Sequence, residues 1–428
     1  MILSISNLAQ RLQSLTSINL LFLTPQLPYP PRQGTAIRNW GLIQHLALRG
    51  HSITLLTFVT PGPTANAPEL LAACERVISI PMPQRSRADR LRTLFSSHAD
   101  LARRLWSDEF ASALTRLLHE SEFDFVHIEG LEMAAYLTIL KREASHLQFL
   151  YDAHNAEYLL QQRALRTDSR QPARWPAALY SALQVPRLRQ FEKEICQSVN
   201  AVMCVSSEDA NALQKLFPAL TPIVIPNGID VEAYATFHAS RPPSTFHLPP
   251  STCRLVFTGK MDYRPNLDAA LWFAREIFPQ IRAAQPQAEF VVVGQQPPES
   301  LRKLSGHGQR GMVVTGAVDD VRPYIAEAAV YVAPLRMGGG TRFKLLEAMA
   351  LARPIVSTHL GAEGFTIEAG REMALADSPV EFAEAVLALL NNPARAQALG
   401  VAGQAFVRAS YDWEAIVPRL EAVYASAR

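Results

Sequence analysis

Short apolar runs rich in β-branched residues alternate along this chain with stretches whose apolar positions recur at helical spacing. In the first half the runs predict strands at Ile18–Thr24, Ile53–Val59, Val77–Ile80, Phe123–Ile128, Gln148–Tyr151, Ala201–Val205 and Pro222–Ile225. In the second half they predict strands at Arg254–Thr258, Glu289–Val293, Met312–Thr315, Val330–Ala333, Pro354–Ser357 and Glu372–Ala374. Strands buried on both faces read as unbroken apolar runs, as FVVV and VYVA do, so the sheets are expected to be parallel with helices on either side. Phe237–Thr252, FHASRPPSTFHLPPST, interrupts the pattern with the proline and serine density of a linker. The expected fold class is therefore α/β, with two Rossmann-like, doubly wound domains over residues 1–235 and 236–412. A helix over Trp413–Arg428 carries Ile416, Val417, Leu420 and Val423 on one face and must pack on one of the halves; it is assigned to the first. Open parallel sheets bind ligands beyond the carboxyl ends of their strands, so two such edges facing a cleft would hold two ligands.

Composition narrows the function classes. The chain has 428 residues, 48% of them hydrophobic and 19% charged, which is globular, and a net charge of +2 gives no general attraction to nucleic acid. Cys74, Cys196, Cys204 and Cys253 form no CxxC pair and have no histidine cluster beside them, as expected for thiols in a reducing compartment. No apolar run approaches the ~20 residues of a spanning helix, and the start MILSISNLAQRLQSL lacks a basic segment ahead of its apolar residues. The expected location is cytoplasmic, soluble or peripheral at the inner face of the membrane.

The densest chemistry lies at Ala333–Ser357, APLRMGGGTRFKLLEAMALARPIVS. A strand runs into Gly338, Gly339 and Gly340, and a helix is expected to start near Thr341, a good N-cap residue. Glycines admit a ligand close to the backbone, and the first helical amides then face it as an anion site. Arg342 and Lys344 add positive charge where a helix disfavours it, a conflict that a bound phosphate resolves. Glu347 stands in the apolar stretch LLEAMALA and needs a partner there, either Lys344 three residues earlier or ribose hydroxyls one turn beyond the phosphates. Gly259 ends another strand, and Lys260 and Arg264 follow it in the loop before a helix, two cations suited to a pyrophosphate. In VVTGAVDDVRPYI, Gly316 ends a strand and Ala317–Val318 present backbone to a base. Asp320 is expected to cap the helix Val321–Ala328, and no metal site is expected from Asp319 and Asp320.

In the first half, Gly34 stands where a helix begins after a Pro-rich loop, with Arg38 one turn in. FLYDAHNAEY places Asp152, His154, Asn155 and Glu157 together at a strand end. Arg85, Arg87, Arg90 and Arg92, and then Arg163, Arg166, Arg170, Arg174, Arg187 and Arg189 with Trp175 and Tyr180, fit three readings: anionic lipid headgroups, a pyrophosphate-linked lipid acceptor, or solvated helix faces.

TGKMDYRPN, TGAVDD and GGGTRFKLLEAMA, together with PNGID at Pro226–Asp230, resemble glycosyltransferase family 4, retaining enzymes of GT-B fold. The likeness runs from about Ile18 to the end. It implies transfer of a sugar from a nucleoside-diphosphate sugar to a glycan or lipid-linked acceptor, in exopolysaccharide or cell-surface glycan synthesis, with no cofactor and no metal. It implies a catalytic set of His154, Lys260, Arg264 and Lys344, the three cations holding the donor diphosphate and His154 touching the donor sugar near the reacting carbon. Glu347 would bind the ribose and Val318 the base, with Gly34, Gly259, Gly316, Gly338, Gly339, Gly340, Thr341 and Arg342 around the donor. Arg38, Asn155 and Glu157 would serve the acceptor. One departure stands out: family members commonly carry a glutamate eight positions before the one matching Glu347, and here that position is Gly339. Backbone amides of Gly339 and Gly340 replace it, or the donor sugar differs, or the chain is a nucleotide or glycan binder without turnover. A nucleotide-sugar epimerase of the same fold is the remaining alternative.

Overall fold

The structure is a computed structural model that describes residues 17–31, 34–60, 67–239, 253–305, 310–338 and 342–427. It divides into two compact units, Met1–Pro226 with Ile416–Arg428, and Asn227–Ala415.

The first unit is built on seven parallel strands: β1 (Asn19–Thr24), β2 (Ser52–Val59), β3 (Arg76–Pro81), β4 (Phe125–Glu129), β5 (Gln148–Ala153), β6 (Ala201–Cys204) and β7 (Ile223–Val224). Their order is β3-β2-β1-β4-β5-β6-β7. The chain therefore reverses direction across the sheet between β1 and β4, where doubly wound sheets bind ligands. Helices α1 (Gly34–Leu48), α2 (Arg87–Phe95), α3 (Glu157–Asp168) and α4 (Trp175–Cys196) belong to this unit. Every residue of β4 is buried, as an inner parallel strand requires. On one face, Leu21, Leu23, Val126, Ile128 and Tyr151 join one core with Phe110 and Tyr136.

The second unit repeats the plan. Strands β8 (Arg254–Thr258), β9 (Glu289–Val293), β10 (Met312–Val314), β11 (Val330–Ala333), β12 (Ile355–Ser357) and β13 (Ala374–Leu375) take the order β10-β9-β8-β11-β12-β13. Its helices include α5 (Val231–Ala239), α6 (Arg264–Trp272), α7 (Arg322–Ala326) and α8 (Phe343–Ala350). Each predicted strand overlaps an observed one, with ends displaced by at most two residues. Displacements of two residues occur at the start of β4, at the end of β5 and at β13, where Glu372 turns inward and accepts the Glu368 amide at 2.7 Å before the strand begins.

The boundary between units falls at Pro226, ahead of the expected 235, because the chain joins the second core as soon as it leaves β7. Ile229 and Val231 are buried with Tyr331, Leu345 and Met349, and the Ile229 amide donates to the Tyr411 carbonyl at 2.8 Å. Most of the expected linker, residues 240–252, lies outside the described residues. The final helix, α9 (Trp413–Ala427), starts in the second unit, and from Ile416 it belongs to the first. Ile416, Val417, Leu420 and Val423 are all buried, and Glu421 takes Arg49 at 2.7 Å and His51 at 3.0 Å.

At the carboxyl ends of β8 and β9 two glycines let backbones meet. Gly259 (φ 154°) and Gly294 (φ 156°) lie against each other so closely that a Cβ on Gly294 would overlap the Gly259 carbonyl. The Gly294 amide meanwhile donates to Gly316 at 3.2 Å, which ties the ends of three neighbouring strands together. Replacing Gly294 with alanine forces these backbones apart, and the expected cost is about 1–3 kcal/mol, read as a lower denaturant midpoint with an unchanged slope. A wild-type midpoint in Gly294→Ala would refute this account of the strand ends.

Candidate functional site

The two clusters of expected site residues lie on different units. In the second unit α8 starts at Phe343, with Arg342 in the N-cap position (φ −91°, ψ 107°), one residue later than expected. Gly339, Gly340 and Thr341 lie outside the described residues. Gly338 has φ 106°, and a Cβ there would come within 3.0 Å of Arg342 Nη2, so the loop keeps glycine where the guanidinium passes.

Lys344 is the centre of this cluster. Its Nζ donates to the Thr258 carbonyl at 2.7 Å and to Asn266 Oδ1 at 2.7 Å, and sits 4.3 Å from the centroid of the Phe257 ring. A Cβ on Gly259 would lie 2.9 Å from that ammonium and 2.6 Å from the Asn266 amide nitrogen, so the glycine ending β8 makes the approach possible. Asn266 in turn donates to the Lys260 carbonyl at 2.9 Å and fixes the βα loop. Lys260 itself is half exposed, paired with Asp262 at 3.3 Å. Arg264 is the first residue of α6 and not a loop residue, because Tyr263 takes the N-cap and Pro265 suits the opening turn.

Lys344 and Glu347 do not form the i, i+3 ion pair that their spacing allows. Glu347 accepts instead from the Tyr234 hydroxyl on α5 at 3.0 Å. Burial pushes the Lys344 ammonium down to about 7, helped by the Arg342 charge. Burial also pushes the Glu347 carboxyl up to about 7, against the Tyr234 hydrogen bond and the Lys344 charge. Two opposite charges are thus held close to neutrality by the protein alone. A ligand bringing negative charge to one and hydroxyl donors to the other would restore both.

Asp320 does not occupy the N-cap of α7, which is Val321. It accepts the Arg322 amide at 2.9 Å and pairs with the Arg322 guanidinium at 2.8 Å, and that guanidinium covers the Phe237 ring at 4.5 Å. Val318 is half-buried against the core beside this group, and Gly316 (φ 75°) leaves open space where a side chain would stand.

In the first unit, His154 follows the end of β5 and its Nε2 meets Glu129 Oε2 at 2.7 Å. Burial alone would lower the imidazole, but the hydrogen bond and charge of Glu129, with the charge of Asp152, outweigh it and hold it above its ordinary value. Asn155 donates to Glu157 Oε1 at 3.2 Å, and burial followed by the Glu132 charge pushes the Glu157 carboxyl up to about 7. The start of α3 is held from outside: Asp209 accepts the Ala156 amide at 2.8 Å, and Glu192 accepts those of Glu157 at 2.7 Å and Tyr158 at 2.8 Å. Gly34 is exposed at the first position of α1.

Arg38 corrects the expectation of an acceptor contact. It is 1% exposed, forks onto Asp152 at 2.7–3.0 Å and donates to the Pro226 carbonyl at 3.0 Å, so its donors are directed into the protein. Sequence reasoning also passed over Glu129, Glu192, Asp209, Tyr234, Asn266 and Gly294. Two of them carried a local signal: Glu192 interrupts the apolar stripe of Leu188 and Ile195 on α4, and Gly294 ends the run FVVV as Gly259 ends its own strand.

Residues 252–392 match the family model described as Glycosyl transferases group 1, and residues 32–233 match the one described as Glycosyltransferase Family 4. The chain is 21% identical over 403 residues to an uncharacterized 44.6 kDa protein of the cps region of Klebsiella pneumoniae, covering 92% of this chain and 96% of that one. It is 24% identical over 250 residues to the GDP-mannose-dependent monoacylated alpha-(1-6)-phosphatidylinositol monomannoside mannosyltransferase of Corynebacterium glutamicum, covering 55% of this chain and 65% of that enzyme. The phosphatidyl-myo-inositol mannosyltransferase of Mycobacterium leprae matches at 28% over 214 residues, 47% of this chain and 53% of its own length. The chain thus spans only about half to two thirds of these named mannosyltransferases. Among solved structures, sucrose-phosphate synthase from Thermosynechococcus elongatus superposes with a TM-score of 0.70 at 19% identity, covering 95% of this chain and 98% of that one. HepE from Anabaena, solved with UDP-glucose, gives 0.59 at 14% identity, covering 96% and 100%.

The two shifted groups predict how diphosphate binding depends on pH. A phosphate on Lys344 raises its pKa, so binding takes up a proton and weakens as pH rises above about 7. Hydroxyls on Glu347 favour its carboxylate, so binding releases a proton and weakens as pH falls below about 7. Affinity for a nucleoside diphosphate, measured calorimetrically, is expected to peak near neutrality, each limb falling by at most about tenfold per pH unit. Lys344→Gln should flatten the alkaline limb and Glu347→Gln the acid one; limbs that persist in both variants would refute the assignment.

Proposed function

Since the chain is a glycosyltransferase of family 4 with the GT-B fold, we propose that it moves a sugar, with retention of anomeric configuration, from a nucleoside-diphosphate sugar to a glycan or lipid-linked acceptor. Assembly of an exopolysaccharide or another cell-surface glycan at the cytoplasmic face of the membrane is the setting that fits. The observation that carries the donor reading is Lys344 drawn onto the ends of β8 and α6 one helical turn from Glu347. Lys344, Lys260, Arg264 and the first amides of α8 stabilise the departing diphosphate, work that a metal ion does in other transferases. Glu347 takes the ribose hydroxyls, and Val318 with Gly316 the base. His154 contacts the sugar, and Asn155 and Glu157 serve the acceptor side. The related mannosyltransferases, one GDP-mannose-dependent and both acting on phosphatidylinositol lipids, support a nucleotide-sugar donor and a lipid-linked acceptor.

A membrane-apposed acceptor also suits the surface of the first unit. Trp175, Leu179 and Leu183 are spaced four residues apart on α4 and exposed, at 62%, 66% and 39%. Tyr180 lies beside them and Phe95, at the end of α2, is 85% exposed. Gln184 and Arg187 on α4 bond to the Asp100 amide at 2.9 Å and the Thr93 carbonyl at 3.4 Å, so the two segments adjoin. Residues 85–104 and 161–184 together carry ten arginines against Asp89, Asp100 and Asp168. An aromatic and leucine stripe with surplus arginine fits the headgroup region of an anionic bilayer. Among the described residues, no helix is long and apolar enough to cross a membrane.

Thermal shifts of wild type and Glu347→Gln against uridine, guanosine and adenosine diphosphates and their sugar conjugates test the donor reading. A ligand at ~100 times its dissociation constant should stabilise the wild type by about 2.7 kcal/mol, with one base favoured and the gain reduced in the variant. Radiolabelled sugar should then pass to a lipid extract. Binding without turnover would show an inert binder, and an altered free sugar an epimerase. No stabilisation by any nucleotide would sink the reading. For the surface, Trp175→Ser with Leu179→Ser should abolish co-sedimentation with phosphatidylglycerol vesicles; wild type that ignores such vesicles would remove the membrane from the proposal.

A further inference from the structure

Behind His154 lies a buried charge cluster to which the transfer reading gives no task. Glu129 on β4 and Asp152 on β5 are register partners on adjacent strands, and both side chains are fully buried. Arg38 cancels the charge of Asp152. Glu129 has no comparable cation. Its Oε2 accepts from His154 at 2.7 Å and, with the amide orientation that satisfies both its neighbours, from Asn39 at 2.8 Å. Its Oε1 is buried without a hydrogen-bond partner and faces the equally unpartnered Nε2 of His127 at 3.5 Å. The other nitrogen of His127 meets the Tyr424 hydroxyl at 3.2 Å, and burial lowers that imidazole against the charges of Glu129 and Asp152.

Two buried carboxylates and one guanidinium leave a net negative charge. A buried carboxylate without a counter-charge is costly, and of the two imidazoles beside this one among the described residues, His154 is hydrogen-bonded to it at 2.7 Å whereas His127 stands off at 3.5 Å. The other charged groups near the ring do not change that balance. Glu157 on α3 and Glu132 after β4 are acidic, and Arg104 is spent on Glu132 at 3.9 Å and Asp100 at 3.6 Å. Gly130 (φ 82°) brings backbone against the far side of the ring, where a Cβ would lie 3.7 Å from His154 Nδ1.

We propose that Glu129 is the positioning residue of this half-site: it locks the Nε2–H of His154 inward and keeps the ring an imidazolium, so that Nδ1 presents a proton and not a lone pair. His154 is then a hydrogen-bond donor to an oxygen of the sugar or of the departing group, and it is unable to act as general base towards an acceptor hydroxyl. The inference rests on the reading of His154 as a sugar-contacting residue only for the identity of the oxygen; the state of the ring stands apart from it.

Long-range ¹H–¹⁵N spectra of the full chain, labelled at histidine and titrated from pH 5 to 9, test the proposal, with His154→Gln assigning the signal. In the wild type both nitrogens of His154 should keep imidazolium shifts well past the ordinary midpoint of about 6.5. Glu129→Gln should lower the midpoint by about one pH unit or more, and Glu129→Asp should recover part of it. A wild-type ring already neutral below pH 6.5 overturns the proposal, and so does an unchanged midpoint in Glu129→Gln. Should Glu129→Gln fail to fold by circular dichroism, the wild-type titration decides alone. Failure of the transferase reading would appear elsewhere, as the absence of any nucleotide stabilisation, and would leave this titration as it is.

Discussion

Charge placed at the end of a buried parallel strand has to be neutralised by the protein itself, and this constraint organises both units. Arg38 reaches across to Asp152, Glu129 reaches to His154, and Arg254, buried at the start of β8, takes Glu289 at 3.2 Å and Glu327 at 2.6 Å. Each pair joins groups far apart in sequence, so each forms only when the sheet has assembled in its register. Removing one partner from such a pair typically costs about 3–5 kcal/mol, more than the pair contributes when intact, and this makes the pairs specifiers of the arrangement rather than net sources of stability.

Lys344 and Glu347 are the exceptions. They are half-buried, and among the described residues their hydrogen-bond partners are neutral: a carbonyl, an amide and a hydroxyl. Both pKa values are displaced toward neutrality, Lys344 down and Glu347 up. Structural ion pairs close on themselves, whereas these two groups stay displaced from their ordinary values, as groups at binding sites often are.

How much of this was legible in the sequence follows from the range of each interaction. The strands were readable because burial on both faces writes itself locally, and β8, β9 and β11 match their predicted limits. Lys344 and Glu347 were readable because a charge in an apolar helix is a local contradiction. Their partners were not, since Thr258, Asn266 and Tyr234 lie 78 to 113 residues away. Arg38 was misjudged although its position carried the answer: it lies on the α1 stripe with Leu42 and Leu46, the buried face of that helix. Glu129 was invisible, because a carboxylate closing an apolar strand looks like the first residue of a loop.

The depressed basicity of Lys344 has a chemical consequence. Ordinary lysines are almost wholly protonated at neutral pH and so are poor nucleophiles, whereas an amine that loses its proton near 7 has its lone pair available in a large fraction of molecules. The burial that lowers this lysine would therefore favour acylation or imine formation by any reagent able to reach it. A phosphate held by Lys344 would keep it protonated and mask that reactivity, so labelling of this one amine would report whether an anion is bound.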